Sequence, residues 1–389
     1  MPLPSVDELL TTAQARTGLD DFGPPTYREG LERLVDGLRT EGDLNEVGEL
    51  VAGETLVGHL GNRLQVLDWH RRHPEIGERP VTPPVVMIGM GRTGTTILHD
   101  LLGQDPANRI PHTWEVDQPC PPPEAATALT DPRIAESQAR IELAYEMRPV
   151  MRTMHPMGAQ LGQECIVFMG GEFKSGIFLS MFNLPSYMRW LNHDADMGPA
   201  YAWHRQFLQL LQWRNPGERW ILKSGAHLWA LPALMAEYPD AILVQTHRDP
   251  RRIIASLTSL FAVVHASSSD DVTVAKVAQA WAEPVLDALD RSVTAREDGT
   301  IPEGRVLDVQ YSEFLDDPIR TIRAIYDHVG GDLTPEVEAR VLSFFSENEA
   351  GKFGRHGYTW IDTGLDAGEV MERAQRYCDY FDVQEEPIP

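Results

Sequence analysis

Pro84-Val85-Val86-Met87-Ile88-Gly89-Met90-Gly91-Arg92-Thr93-Gly94-Thr95-Thr96-Ile97-Leu98-His99 is the stretch that decides how this 389-residue chain folds. Val85 to Ile88 is an unbroken apolar run, the pattern of a strand buried on both faces. It enters a glycine-rich turn, beyond which Ile97, Leu98, Leu101 and Leu102 recur at helical spacing. Strand, glycine turn and helix start together cradle phosphate: N–H groups at the helix N-terminus face the anion, and glycines let it come close.

The spacing follows the phosphate-loop pattern G-x-x-x-x-G-K-[ST] with one substitution. Gly89 and Gly94 hold the glycine positions and Thr96 the hydroxyl position, but Thr95 stands where that pattern has lysine. In triphosphatases the lysine reaches the β- and γ-phosphates. Here the only cation of the turn is Arg92, placed to face an anion closer to the nucleoside. Such a loop suits a nucleotide with a short anionic tail.

Working outward, a chain of this length with 42% hydrophobic residues can bury a large core, as one big α/β domain or as two domains. A net charge of −24 argues against nucleic acid as a partner, and against anionic polysaccharide as an acceptor. Cys120, Cys165 and Cys378 are scattered, with the spacing of neither a disulfide framework nor a metal site. No secretory leader and no integral membrane segment is evident, so a cytoplasmic protein is the expectation.

Residues 1–78 read as an N-terminal helical extension packed on a core of residues 79–389. Ser5 with Glu8 forms a capping-box pattern, and Tyr27–Leu38 and Val47–Trp69 carry helical periodicity. Past the first strand–helix unit, the proline-rich stretch 108–124 holds His112, Trp114 and Glu115 on the side of a sheet where α/β folds bind ligands. Residues 131–148, 159–170 and 201–213 read as helices. The aromatic stretch Phe173–Trp190 suits either core or the wall of an acceptor pocket.

Two further blocks bear chemistry. Arg219 to Lys223 is a short strand ending in lysine; Ser224 and Gly225 follow, then a helix through Ala236 with His227 in its first turn. Ala241 to Thr246 is a buried strand leading to Arg248, with Asp249 as N-cap and Pro250 at the first helical position. Ser256 lies about two turns into that helix, so guanidinium and hydroxyl can meet one anion.

Together these blocks resemble the sulfotransferases that use 3′-phosphoadenosine 5′-phosphosulfate, in their large bacterial, especially actinobacterial, branch. Gly91 to Thr96 resembles the 5′-phosphosulfate loop of that family, and Arg248 to Ser256 its 3′-phosphate motif. Leu222-Lys223-Ser224 with His227 resembles the intervening strand end, and Val309-Gln310-Tyr311 a later strand whose tyrosine lies near adenine. Trp114-Glu115 and Gly354 to Tyr358 are similar to the same branch. The likeness spans roughly residues 84–382, leaving the N-terminal helices outside it. It departs from the family at Ile97, where cytosolic members have an adenine-packing tryptophan, and at Gly225, where this branch usually has proline. The C-terminal phosphate segment is reduced to Gly351-Lys352-Phe353-Gly354-Arg355-His356.

The resemblance implies a P-loop-like three-layer α/β fold with a central, mainly parallel sheet. Strands are expected near 85–89, 220–223, 241–246 and 305–309, with a lid over 350–364 and a closing helix Ala367–Phe381. It implies metal-free, in-line sulfuryl transfer to a hydroxyl or amine. Donor binding falls to Arg92, Thr93, Gly94, Thr95, Thr96, Arg248, Ser256, Tyr311, Lys352, Arg355 and His356. Arg92 and Lys223 would stabilise the leaving nucleotide. Glu115 ranks first as general base and His227 second, with His155 and Glu164 behind. Phe173, Phe182, Tyr187, Met188 and Trp190 suggest an apolar or aromatic acceptor, a small molecule or a lipid. The competing readings are a P-loop kinase or nucleotide hydrolase, which needs a loop lysine and a magnesium-binding aspartate, and a non-catalytic nucleotide-binding relative. Oligomeric state leaves no trace in the sequence.

Overall fold

The apolar run after Pro84 forms the strand β1 (Val85–Met87), the middle of five parallel strands. On one side lie β3 (Arg219–Lys223) and then β2 (Asn108–Arg109); on the other, β4 (Ile242–His247) and then β5 (Val306–Gln310). Val86 stands opposite Leu222 in β3 and Leu243 in β4. Every pairing is parallel, so all five carboxyl ends open on one edge. The computed structural model describes residues 2–154, 156–348 and 357–388; His155, Lys352, Arg355 and His356 lie outside the described residues.

Alternation along the strands loads both faces of the sheet. Val85, Met87, Ile221 and Val244 pack with Leu98, Leu101 and Leu102 of the helix Thr95–Leu102, and with Ile322 and Ile325. Val86, Leu222 and Leu243 face the other way, into a cluster that runs through Ile253, Ile254, Val285 and Leu289. Because both faces are covered, the central strand β1 is apolar without alternating polarity, as buried parallel strands are. The N-terminal helices Val6–Thr17, Arg28–Thr40 and Glu46–Arg72 bury Leu9, Leu31, Leu34, Leu56, Leu60 and Leu64 in that second cluster. Arg63 pins them there: it pairs with Glu172 at 2.6 Å, both side chains buried, and donates to the carbonyls of Phe22, Pro24 and Gly171. The Ser5–Glu8 capping box is formed.

Three local readings are corrected. Residues 159–170 are helical only over Cys165–Met169. Before that, the backbone bonds instead to the segment after β2, with Thr113 N donating to Leu161 O and Gln163 N to Pro111 O. The helix expected after Lys223 is broken: a 3₁₀ turn, Gly225–Trp229, precedes the helix Leu231–Glu237, whose first turn holds Pro232. β2 went unread because two residues carry no periodicity.

Candidate active site

From β1 the chain runs outward on one side to β2 and β3 and then crosses over β1 to β4 on the other, and ligands bind at such switch points in open parallel sheets. The turn Ile88–Gly94 sits there. A Cβ on Gly89 would lie 1.8 Å from Thr246 Oγ1, so only glycine lets the turn pass over β4. Gly94, the residue before the helix, has φ +88°, and Arg92 has φ +75°, a conformation that costs a non-glycine residue energy and clusters at functional loops. Thr93 locks the turn by donating to Met90 O at 2.6 Å and contacting Thr246 Oγ1 at 2.5 Å.

Arg92, Arg248, Ser256 and Tyr311, among the residues read as donor contacts, converge around this turn. Arg92 Nε donates to Ser256 Oγ at 2.9 Å, joining the turn to the helix Pro250–His265. Arg248 Nη1 donates to Arg92 O at 2.8 Å, and its guanidinium lies 4.1 Å above the ring of Tyr311, the residue that follows β5. That ring in turn packs beside Gly94. Burial pulls the pKa of Arg92 down from its ordinary value, through desolvation of a cation. Asp249 caps the helix and Pro250 begins it, as read. Arg248 is also held by the C-terminal segment: its Nε and Nη2 donate to the two carboxylate oxygens of Glu386 at 2.7 and 2.9 Å, and Arg252 reaches the same carboxylate.

Lys223 ends β3 almost fully buried, with Nζ donating to Thr96 Oγ1 at 3.0 Å and to Glu164 Oε1 at 2.8 Å. Glu164 precedes the helix Cys165–Met169, and its side chain keeps 28% of its surface exposed. It lines a cavity of about 350 Å³ that begins at Gly91, Arg92, Thr95 and Thr96 and runs away from the turn. Most of the remaining wall is apolar, with Met151, Met157, Ile166, Leu179, Leu257 and Trp281, and Lys174, Ser175, Ser180 and Asn192 stand among its polar residues.

Two groups of residues sit elsewhere than read. Glu115 is completely buried and absent from the cavity wall. Its carboxylate accepts from Arg109 Nη2 at 2.6 Å and from the backbone N–H of His112 at 3.1 Å, capping the helix Thr113–Asp117. Burial pushes its pKa up, but Arg109 and His112 outweigh that and hold it at about 2. A carboxylate so occupied is a poor proton acceptor, and its pair ties the β2 edge to the next helix. Phe173, Phe182, Tyr187, Met188 and Trp190 are core rather than cavity wall: Phe173 stacks on Phe178, and Tyr187 donates to Phe173 O. His227 does line the cavity, yet Nδ1 is bonded to the Tyr201 hydroxyl at 2.7 Å and Nε2 is buried without a hydrogen-bond partner. Burial lowers its pKa to about 4, with Glu164 opposing.

The comparisons with known proteins agree with this geometry. The sulfotransferase family profile matches residues 83–335. The crystal structure of sulfotransferase STF1 from Mycobacterium tuberculosis is 33% identical, with a TM-score of 0.85 over 96% of this chain and 98% of that one. Sulfotransferase STF9 from Mycobacterium avium is 31% identical, with a TM-score of 0.89 over 98% of both chains. These alignments take in the N-terminal helices, which the sequence motifs left out. Among curated proteins, the omega-hydroxy-beta-dihydromenaquinone-9 sulfotransferase Stf3 of Mycobacterium bovis is 23% identical over 270 residues, 64% of this chain. The chain spans 63% of the length of that relative. Among the described residues no helix is long and apolar enough to cross a membrane. A parallel sheet with a phosphate-type turn at its switch point, a family profile over most of the chain and two near full-length structural relatives lead to one assignment: the chain belongs to the sulfotransferase family and is a transferase.

Proposed function

We propose that the chain transfers a sulfuryl group from 3′-phosphoadenosine 5′-phosphosulfate to a hydroxyl at the end of an apolar acceptor. The observation that carries this reading is the junction of Arg92 with Ser256 and Arg248, Arg92 itself lining a largely apolar cavity. The turn Arg92–Thr96 takes the 5′-phosphosulfate on its N–H groups, Arg248 and Ser256 take the 3′-phosphate, and Tyr311 flanks the adenine. Lys352, Arg355 and His356 belong to the same proposal as the last phosphate contacts.

Negative charge grows on the bridging oxygen as the sulfur–oxygen bond breaks. In this reading Lys223, bonded to Thr96 of the helix start, supplies its charge to that oxygen together with Arg92 and the helix N-terminus, and fixed charges in a water-poor site stabilise such a transition state strongly. Glu164 is the general base in this reading. Glu164 lines the cavity with its side chain 28% exposed, whereas Glu115 is fully buried away from it and the remaining ring nitrogen of His227 is shielded from solvent. The acceptor proton passes to Glu164 as its oxygen attacks sulfur. The apolar wall suits a lipid-like body, in keeping with a relative named for a hydroxylated menaquinone.

The test is calorimetric binding of 3′-phosphoadenosine 5′-phosphate, with ATP–Mg²⁺ as competitor. Micromolar binding that ATP–Mg²⁺ does not displace, weakened at least about tenfold (1.4 kcal/mol) by Arg248→Ala, supports the donor. Preference for ATP–Mg²⁺, with indifference to the 3′-phosphate, overturns it and restores the kinase reading.

A further inference from the structure

Behind the cavity wall, three side chains from separate segments meet without any role in the transfer described above. Cys165 opens its short helix, His204 sits within the helix Gly198–Gln212, and His227 lies in the turn after β3. Each offers one ligand atom, and these atoms all lie within 4.8 Å of one another. All three residues are buried, Cys165 and His204 completely.

The two imidazoles are held in the same way. His204 Nδ1 is bonded to the Tyr238 hydroxyl at 2.6 Å, and His227 Nδ1 to the Tyr201 hydroxyl at 2.7 Å. In both rings the other nitrogen, Nε2, is buried with no hydrogen-bond partner. Leaving a buried polar atom unpaired costs about 1–3 kcal/mol, so two in one place call for an explanation. A histidine fixed through one ring nitrogen by an outer hydroxyl or carbonyl, with the other nitrogen turned into a shared space, is the arrangement that orients metal ligands. Burial also keeps both rings uncharged, which is the ligating form.

We propose that Cys165, His204 and His227 form a binding site for a borderline-soft transition-metal cation, Zn²⁺ in the first instance. One sulfur and two imidazole nitrogens with no carboxylate select against Mg²⁺ and Ca²⁺, which take oxygen ligands, and suit Zn²⁺. Binding replaces the Cys165 S–H bond by a metal–sulfur bond and releases that proton to solvent, with no change of oxidation state. Zinc with one thiolate and two neutral imidazoles keeps a single positive charge, and the Glu164 carboxylate is close enough to act on both Cys165 and His227. Three protein ligands leave the fourth position of a tetrahedral ion to a water. The site does not depend on the identity of the sulfuryl donor.

The experiment uses the full chain, freed of metal by a chelator and titrated with Co²⁺ as a spectroscopic probe. The expected result is one equivalent of Co²⁺ per chain, with a thiolate-to-cobalt charge-transfer band that Zn²⁺ removes and Mg²⁺ does not. Cys165→Ser should abolish that band, and Tyr238→Phe, which removes no ligand, should weaken binding about 10–100-fold. X-ray absorption on the wild-type zinc-loaded chain covers the case in which a variant does not fold. It should show one sulfur at about 2.3 Å and nitrogens at about 2.0–2.1 Å. Absence of stoichiometric uptake, a first shell without sulfur, or a charge-transfer band that survives in folded Cys165→Ser overturns the proposal.

Discussion

Two glutamate–cation pairs lie on the same side of the sheet and do opposite things. Glu115–Arg109 has no solvent exposure on the acid and a contact of 2.6 Å; Glu164–Lys223 has a contact of 2.8 Å, but its acid keeps a quarter of its surface open toward the cavity. The first pair is closed on every side: Arg109 also donates to Ile110 O and Asn215 O, and Glu115 caps its own helix. In the second, the lysine reaches the helix that follows the phosphate-type turn. What separates the two acids is not their charge partner but their exposure: one is enclosed, the other borders the cavity.

The comparison breaks most visibly at Glu164. Glu164→Gln should slow single-turnover transfer per folded molecule by about 10²–10⁴-fold, the usual worth of a general base. Lys223→Met should cost about 10²–10³-fold in the same assay by removing a donor from the leaving oxygen. Glu115→Gln should do the reverse, lowering stability by about 3–5 kcal/mol in a denaturant titration because Arg109 is left buried and unpaired. Arg109→Met combined with Glu115→Leu should recover most of that loss. Activity per folded molecule should stay near wild type in both.

The acid dependence of stability sharpens the same contrast. Glu115 is held at about 2 in the fold against an ordinary 4.5, so the unfolded chain binds more protons between those values. Its contribution is fully present above pH 4.5 and is lost as the pH falls through about 2. Glu115→Gln should therefore flatten the slope of stability against pH in that window. The smallest effect concerns Glu386, whose carboxylate occupies the fork of Arg248. A partly exposed pair of this kind is worth about 1 kcal/mol, so Glu386→Gln should tighten binding of 3′-phosphoadenosine 5′-phosphate about fivefold in calorimetry.

The parts of this site that are legible from the residues alone are the short-range ones. Strand, turn and helix from Val85 to Leu102 are contiguous, and Arg248, Asp249, Pro250 and Ser256 sit on one strand end and one helix. Glu164 was ranked low because its position depends on residues 158–163 pairing with the backbone around Pro111 to Trp114, a contact with no periodic signature. The sequence favours Glu115 because it follows the phosphate-type loop on the pocket side and sits beside Trp114, although its spacing from His112 places the carboxylate over its own helix start. The aromatic run Phe173–Trp190 reads as core before it reads as wall, and the structure places it in the core. Cys165, His204 and His227 come from three separate elements, so no spacing rule could gather them.

The most direct test of the central claim is rapid-quench transfer of labelled sulfate from 3′-phosphoadenosine 5′-phosphosulfate to a long-chain hydroxylated acceptor, with Glu164→Gln and Glu115→Gln run side by side. The account predicts transfer by the wild type, collapse in Glu164→Gln, and a near wild-type rate for the folded fraction of Glu115→Gln. Collapse in Glu115→Gln with full activity in Glu164→Gln, or no transfer from this donor by the wild type to any such acceptor, would contradict it.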